Sequence, residues 1–408
     1  MRPETGSVPL QDSGTGVPPA APAGHFSLRP LLAANLACTL SMMAFVALVG
    51  PIARLLGLAP WQAGASVTVG GLLWMLLARV WGAASDRHGR RPVLLAGAAG
   101  FALAYWAMVG VIDASLHWRP APLWVFAGLV LTRGAIGAFY AAVPSVGQAL
   151  VADHVPSERR AASLAALGAA SAVGMVAGPA LAATLAPQGL SLPLHATGLL
   201  PLLALAVLWR TLPRGPRREG MVSGALALSD PRMRRCMCVA FAAMFSVAVA
   251  QSTVGFFALD RLALPPAEAA RTAGLALTCV GVALIAVQVM ATRLGWTPQR
   301  MIRTGALVAA AGGAGMWFVS GAVPLYIAFA TMAAGMGWVF PAFQAMAANA
   351  VQAHEQGAAA GAIGAAQGLG MVSGPLVGTL LHGLAPVVPY ALLALLMGAV
   401  ALWPARRP

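Results

Sequence analysis

Few residues of this chain could do chemistry, and most of them are arginines or isolated acids. The segment 82–94, GAASDRHGRRPVL, places Asp86 among several arginines and between two glycines. Gly82 would allow close helix approach, and Gly89 would permit a tight reversal of the chain. Arg133 lies well inside an apolar stretch, where an unpaired charge costs at least ~2.5–3.5 kcal/mol. We therefore expect Arg133 to face a wet cavity and to have a function. The alternative is that its side chain extends to a carbonyl inside the bundle and is structural.

The residues that usually build catalytic or metal sites do not cluster. No acid or histidine falls in the middle of an apolar stretch, and the seven histidines show no ligand spacing. The cysteines Cys38, Cys236, Cys238 and Cys279 lie in apolar runs without a metal-binding pattern. The sequence therefore predicts no catalytic residues, no metal, no cofactor and no enzymatic activity.

The composition identifies the elements that must position these residues. The chain has 408 residues, of which 59% are hydrophobic and only 9% charged, and its mean hydropathy is +0.79. Soluble domains carry about 25% charged residues, so a water-soluble fold is excluded. At about 20 residues per span there is room for twelve membrane helices. We expect an all-α protein with spans near residues 31–52, 62–83, 92–112, 122–148, 160–185, 190–209, 236–258, 270–291, 303–320, 322–350, 357–382 and 387–404.

The arginines indicate how the chain is oriented in the membrane. All 25 basic residues are arginine, against 11 acids, which on a soluble protein would suggest nucleic-acid binding. If the N-terminus is inside, most arginines here fall in short connections on the cytoplasmic side of the membrane. Only Arg54, Arg119, Arg261 and Arg271 would lie on the other side. The positive-inside rule thus predicts a multi-pass protein of the plasma membrane with both termini cytoplasmic, and no nucleic-acid partner.

The chain also repeats itself. Residues 168–182 read GAASAVGMVAGPALA, and residues 364–378 read GAAQGLGMVSGPLVG, at an offset of 196 positions. The same pattern thus recurs in the fifth span of each half, as expected for transporters built from repeats. We predict a disordered tail at 1–25, six-helix bundles at 26–209 and 236–408, and a cytoplasmic linker at 210–235.

The loop after the second span resembles motif A of the major facilitator superfamily, Gly-x-x-x-Asp-Arg-x-Gly-Arg-Arg. The matching residues are Gly82, Asp86, Arg87, Gly89, Arg90 and Arg91. The resemblance implies twelve helices in two pseudo-symmetric bundles, a monomer, and a gate in which Asp86 caps the eleventh helix and pairs with an arginine of the motif. The corresponding loop of the second half, 292–303, has no acid, which implies a weaker counterpart.

Two further motifs resemble the drug:proton antiporter branch of this superfamily. The segment 131–139 is similar to motif B, with Arg133 and Gly137 matching, which implies a role of Arg133 in proton coupling. Gly174, Gly178 and Pro179 are similar to motif C of the exporters, with alanines in place of its closing glycines. Gly370, Gly374 and Pro375 repeat it in span eleven. A generic small-residue packing face is the alternative interpretation of these glycines.

Proton coupling commonly uses a carboxylate that changes charge, and no span holds one deeply. Asp260, at the end of span seven, is the nearest candidate, although it could equally be a loop acid beside Arg261. In this superfamily spans one, four, seven and ten line the cavity. The substrate-binding candidates on them are Asn35, Tyr140, Gln251, Phe256, Gln344 and Asn349, and each could instead make a helix–helix contact.

The sequence thus predicts a transporter that exports a small organic molecule by alternating access, in exchange for protons. Its partners would be that molecule, protons and the lipid bilayer. A cavity without acids favours neutral, anionic or weakly polar cargo over strongly cationic drugs. An uptake permease of the same fold is the first alternative, and a membrane sensor that transports nothing is the second.

Overall fold

The computed structural model describes residues 27–212, 230–352 and 355–403 of the chain. In these residues all regular structure is helical. The predicted tail at 1–25 and most of the predicted linker at 210–235 lie outside the described residues. The thirteen α-helices are Arg29–Leu55 (α1), Pro60–His88 (α2), Arg90–Trp118 (α3), Pro122–Tyr140 (α4), Ala142–His154 (α5), Ser157–Leu185 (α6), Leu192–Thr211 (α7), Arg234–Asp260 (α8), Pro266–Leu294 (α9), Pro298–Gly315 (α10), Ala322–Asn349 (α11), Gln356–His382 (α12) and Val388–Leu402 (α13).

These helices correspond to the twelve predicted spans. Ten segments are long and apolar enough to cross a membrane when Pro122–His154, which contains α4 and α5, is counted as one. The shorter α10 and α13 complete the set. Several helices begin with proline at the first or second position, as α2, α4 and α9 do. Proline suits this position because the first helical N–H groups have no partner within the helix.

The fourth span is divided at Ala141, between α4 and α5. Pro144 follows three residues later and has no N–H to donate to the carbonyl of Tyr140. The interruption in the helix is therefore expected at this place. It turns the second part of the span, α5, into a separate helix of 13 residues.

The repeated glycine pattern makes the same helix–helix contact in each of the two six-span bundles, α1–α7 and α8–α13. In the first bundle α6 packs on α1, and in the second α12 packs on α8. A Cβ atom added to Gly174 would lie 2.9 Å from the carbonyl oxygen of Leu36 in α1. One added to Gly370 would lie 2.6 Å from the carbonyl oxygen of Phe241 in α8. The repeat therefore brings equivalent backbones together in the two bundles.

The next turn of each helix continues this contact. A Cβ on Gly178 would lie 2.9 Å from the amide nitrogen of Ala44, and one on Gly374 would lie 3.1 Å from that of Val249. The prolines that follow, at positions 179 and 375, lie inside their helices without ending them. Both glycine pairs thus act in packing within a bundle.

Replacing Gly370 by alanine should destabilise the protein by about 1–3 kcal/mol, the usual cost of overpacking a close contact. The added methyl group would meet the backbone of α8, which cannot rotate away. Gly364, on the same helix, has nothing within 4 Å of the position that a methyl group would take, so Gly364→Ala is the matched control. Thermal unfolding of the purified variants would measure the difference. Equal melting temperatures for the two variants would contradict the close packing of α8 and α12.

Candidate functional site: a crevice between the two bundles

At one end of the molecule the two bundles meet through their backbones. A Cβ atom on Gly50 of α1 would lie 2.7 Å from the amide nitrogen of Phe256 and 2.8 Å from the carbonyl carbon of Gly255, both in α8. Phe256 is fully buried. Because no side chain separates these helices, the contact closes this end of the molecule. It is called the sealed end below.

A cluster of three charged or titratable side chains lies at the sealed end. The Nη2 atom of Arg54, in the last turn of α1, donates to Oδ1 of Asp260 at a distance of 2.5 Å. The Nε2 atom of His382, the last residue of α12, lies 2.8 Å from Oδ2 of the same carboxylate. The Arg54 side chain is 46% exposed and that of Asp260 26%, whereas that of His382 is 2% exposed. The Arg54–Asp260 pair therefore joins the two bundles, and His382 supports the carboxylate from within its own bundle.

The contact between the bundles continues halfway along α2 and α12 and then stops. Thr68 Oγ1 donates to the carbonyl oxygen of Val372 at 2.8 Å, and a Cβ on Gly368 would lie 3.4 Å from the sulfur of Met75. Further along, no atom of the described residues lies within 4 Å of the Cβ positions on Gly82 of α2 and Gly361 of α12. The helices therefore diverge and leave a crevice that opens at the end where the arginine-rich loop 82–94 lies. We call this the arginine-rich end.

The motif at the arginine-rich end forms contacts within one bundle. Arg90 Nη1 donates to Asp86 Oδ1 and, at 2.7 Å, to Ser85 Oγ, while its Nε donates to Asp153 Oδ2 at 2.8 Å. Arg91 Nη2 donates to the carbonyl oxygen of Trp209 at 2.6 Å. These bonds tie α2, α3, α5 and α7 together. The loop thus acts as a junction of the first bundle in this conformation.

The remaining motif residues lie around this junction. Gly89 is the single residue between α2 and α3 and has a φ of 93°, a conformation that favours glycine, so it makes the predicted reversal. Arg87 is exposed. Gly82 makes no close helix contact here. Among the described residues Asp86 pairs with Arg90 and makes no hydrogen bond to α12, so the expected cap of the eleventh span is not present in this conformation.

A second ionic cluster fixes the start of α12 to the start of α8. Arg232 Nη2 donates to Asp230 Oδ2 at 2.8 Å and to Glu355 Oε1 at 3.0 Å. The hydrogen bonds from Arg232 hold the pKa of Asp230 below its usual value. All three residues belong to the second bundle or the segment leading into it. At the arginine-rich end each bundle is thus held together separately.

Arg133 lies in α4 with only 3% of its surface exposed. Its guanidinium carbon lies 4.7 Å from the centre of the Phe45 ring of α1. Among the described residues, neither Nε nor Nη1 has a hydrogen-bond partner. A buried charge of this kind, with no carboxylate partner among the described residues, is costly. Arg133 was expected to face a wet cavity but is buried here, and its role in proton coupling stays a prediction.

The predicted substrate residues of the first bundle are Asn35 of α1 and Tyr140 of α4, which contacts α1 one turn after Asn35. Tyr140 is buried, and its hydroxyl forms a 2.9 Å hydrogen bond with Thr39. Asn35 donates to the carbonyl oxygen of Leu31 at 3.1 Å and lines a cavity of about 260 Å³ together with Gln148 and Ser171. This cavity offers amide and hydroxyl groups to a bound molecule.

The predicted substrate residues of the second bundle are not brought together. Gln251 lines an apolar cavity in that bundle. Phe256 lies at the sealed end, 5.7 Å from the His382 ring between ring centres. Gln344 and Asn349 are exposed near the end of α11. The two cavities therefore contain only Asn35 and Gln251 from the predicted set.

Sequence reasoning missed the partners of Asp260. Arg54 and His382 lie at the ends of α1 and α12, as Asp260 does at the end of α8. All three residues lie at the ends of spans on one side of the membrane, and this common position could have indicated from the sequence that they meet. Over residues 27–212, 230–352 and 355–403, no three His, Cys, Asp or Glu side chains lie close enough to share a metal ion.

Comparison with known proteins agrees with this architecture. The sequence profile of the Major Facilitator Superfamily matches residues 31–375 and 270–408. The chain is 31% identical over 329 residues to the class C tetracycline resistance protein of Escherichia coli, covering 76% of this chain and 77% of that protein. It is 30% identical over 339 residues to the class G tetracycline resistance protein of Vibrio anguillarum, covering 78% and 80%.

Among solved structures, the fold is similar to that of a bacterial homologue of the human lysosomal transporter Spinster in an inward-facing, unoccupied conformation. The TM-score is 0.69 at 15% identity, covering 92% of this chain and 93% of that one. The profile match, the curated relatives and this fold all agree with two six-span bundles around a crevice. The chain belongs to the major facilitator superfamily of membrane transporters.

Proposed function

We propose that this protein exports a small organic molecule across the plasma membrane by alternating access, in exchange for protons. The arginine-rich end is the cytoplasmic one, with both termini inside, and the sealed end faces outward. The units that move are the bundles at 26–209 and 236–408, joined by the linker at 210–235, and the working unit is a monomer. The protein has no catalytic role in this account.

The observation that carries the proposal is the asymmetry of the crevice. Backbone contact between Gly50 and Gly255 closes one end, and the bundles are separated at the other end near Gly82 and Gly361. A carrier that exposes its binding site to one side at a time requires such a state. The tetracycline resistance for which both curated relatives are named supports export, as do the glycines and proline of α6 that resemble motif C.

The opposite state would exchange these contacts. Opening the sealed end would separate Gly50 from Gly255 and break the Arg54–Asp260 pair. Closing the cytoplasmic end would bring α2 to α12, where Asp86 could then meet the N-terminus of α12. An anion there is stabilised by about 0.3–1 kcal/mol, which is weak enough to be reversed in each cycle.

Asp260 is the proposed proton carrier. Its carboxylate pairs with Arg54 only when it is charged and when the outer end is closed. With that end open, Arg54 is withdrawn and Asp260 takes up a proton from external water. When the end closes again, Arg54 returns to the carboxylate and the proton is released into the crevice, which is then open to the cytoplasm. Arg133, buried and with no carboxylate partner among the described residues, would influence the protonation of Asp260 from a distance.

The function is tested by transport into inverted vesicles that contain the purified protein, with tetracycline as the probe. An imposed pH gradient, with the inside of the vesicle acidic, should drive tetracycline inward. The pH gradient should dissipate as the drug enters. Accumulation that ignores the pH gradient would favour facilitated transport. Proton uptake together with the drug, in the same direction, would identify an uptake permease.

Replacing Asp260 by asparagine should remove the response to the pH gradient but keep exchange of labelled for unlabelled drug. The amide retains the shape of the carboxylate and can still accept a hydrogen bond, but it does not change charge. Asp113→Asn is a matched control, because Asp113 lies on the same side and contacts only His195 in the described part of the first bundle. Full gradient-driven transport by Asp260→Asn would exclude Asp260 as the carrier.

A further inference from the structure

An apolar cavity lies in the second bundle. Its volume is about 110 Å³, of the same order as the ~150 Å³ cavity that holds a benzene molecule in an engineered protein. Helices α8, α9, α11 and α13 contribute residues at helical spacing, as Met332 and Met336 of α11 illustrate. Met175 of α6 reaches the cavity from the other bundle. The cavity therefore borders the interface between the two bundles.

The lining is unusually rich in methionine. Five of the side chains that line the cavity are Met175, Met244, Met332, Met336 and Met397. Methionine is unbranched and polarisable, so it adapts to ligands of different shape and makes favourable contacts with aromatic rings. A lining of this kind suits a flat apolar group better than one fixed shape.

Within the described part of the chain, no charged side chain lines this cavity, and only two of the lining residues are polar. Ser246 donates its hydroxyl to the carbonyl oxygen of Ala242 at 2.7 Å and is fully buried. Gln251 is half-buried, and within the described residues its amide makes no hydrogen bond to protein. One amide group is thus available to a bound molecule.

We propose that this cavity binds an uncharged apolar ring of the exported molecule, with one polar group of that ring at the Gln251 amide. The proposal rests on the export function proposed above and names the class of group that this site accepts. A cation would find no carboxylate here and an anion no arginine, and moving an unpaired charge into such surroundings is costly. The site therefore selects against both signs of charge.

The test uses N-phenylnaphthylamine and its sulfonated analogue, which share the same rings and differ by one negative charge. The purified full-length protein, in lipid nanodiscs, carries carbon-13 methyl groups on its methionines. N-phenylnaphthylamine should shift the resonances of the five cavity methionines and leave that of the distant Met108 unchanged. The sulfonate should shift none of them. Equal shifts from both compounds, shifts of all methionines alike, or no shift at the cavity would each overturn the proposal.

Filling the cavity gives an independent check. Ala333 is buried and lines the cavity, whereas its neighbour Ala334 is half-buried and does not. Ala333→Leu should weaken N-phenylnaphthylamine binding at least about tenfold, as added methylene groups do in apolar pockets. The Ala334→Leu variant should bind N-phenylnaphthylamine as tightly as the unmodified protein does. Equal affinities of the two variants for this compound would contradict the assignment of the cavity. Because binding is measured without transport, loss of export in vesicles with binding intact would count against the proposed function and not against this site.

Discussion

Replacing Gly50 by valine is expected to abolish transport and to hold the protein open at its outer end. The added side chain would meet the backbone of Gly255 and the amide nitrogen of Phe256, which lies 2.7 Å from the Cβ position. Backbone atoms cannot rotate away, so α1 and α8 must separate. In the proposed cycle this contact exists only in the state that is open to the cytoplasm. The variant should therefore fold but populate the other state.

The measurement is labelling of Ser252→Cys by a membrane-impermeant maleimide added from outside, with the four native cysteines replaced by serine. Ser252 is buried behind the closure, so it should react slowly in the parent and rapidly in the Gly50→Val background. Gly110→Val is the matched control because Gly110 is exposed, with nothing within 4 Å of its Cβ position. Transport at the parental rate by Gly50→Val would show that the closure has no part in the cycle.

Replacing Arg133 by methionine is expected to stabilise the protein while removing its transport activity. A charge at the bilayer centre costs at least about 2.5–3.5 kcal/mol, and a desolvated cation–π contact such as that with Phe45 returns about 2 kcal/mol. Methionine retains much of the volume without the charge, so the net gain should be about 1 kcal/mol. Gradient-driven transport of tetracycline should fall to background.

Stability and transport are measured on the same preparations by thermal unfolding and vesicle uptake. Arg271→Met serves as the control because Arg271 is exposed on α9, so its loss should change neither quantity appreciably. A less stable Arg133→Met protein that still transports would contradict the functional interpretation. It would instead indicate that Arg133 is a structural residue satisfied by its surroundings.

The spans and the internal repeat were predictable from the sequence because they depend on local properties. Apolar runs of about 20 residues form helices in lipid, where each backbone group must bond within its own segment. The glycines at positions 174 and 370 resemble motif C, with a small-residue packing face as the alternative interpretation, and both contact the first helix of their own bundle. The reversal at Gly89 was predictable because a single glycine can adopt a positive φ there.

The site was less predictable because it depends on which face each helix turns inward. A membrane helix is apolar all round, so its sequence hardly distinguishes the crevice from a neighbouring helix or from lipid. Phe256 was predicted to contact substrate and lies instead at the sealed end beside His382. The pairing of Asp260 with Arg54 and His382 joins residues that are 206 and 122 positions away in the chain. Local spacing carries no information about such contacts.

Asp86 illustrates a further limit. Its residue type and the surrounding motif predict a gate, but the sequence does not state which conformation the chain adopts. In the state described here the carboxylate pairs with Arg90 in its own bundle. The resemblance to motif A implies a contact with α12, which belongs to the other state of the proposed cycle.

Alternating access is tested most directly by two distances measured with spin labels on the protein in nanodiscs. One pair, His88 with Gln356, reports the arginine-rich end, and the other, Leu55 with Arg261, reports the sealed end. All four residues are exposed, and the members of each pair belong to different bundles. Acidification with tetracycline present should shorten the first distance and lengthen the second in the same population. Two constant distances in protein that still transports tetracycline would contradict the account.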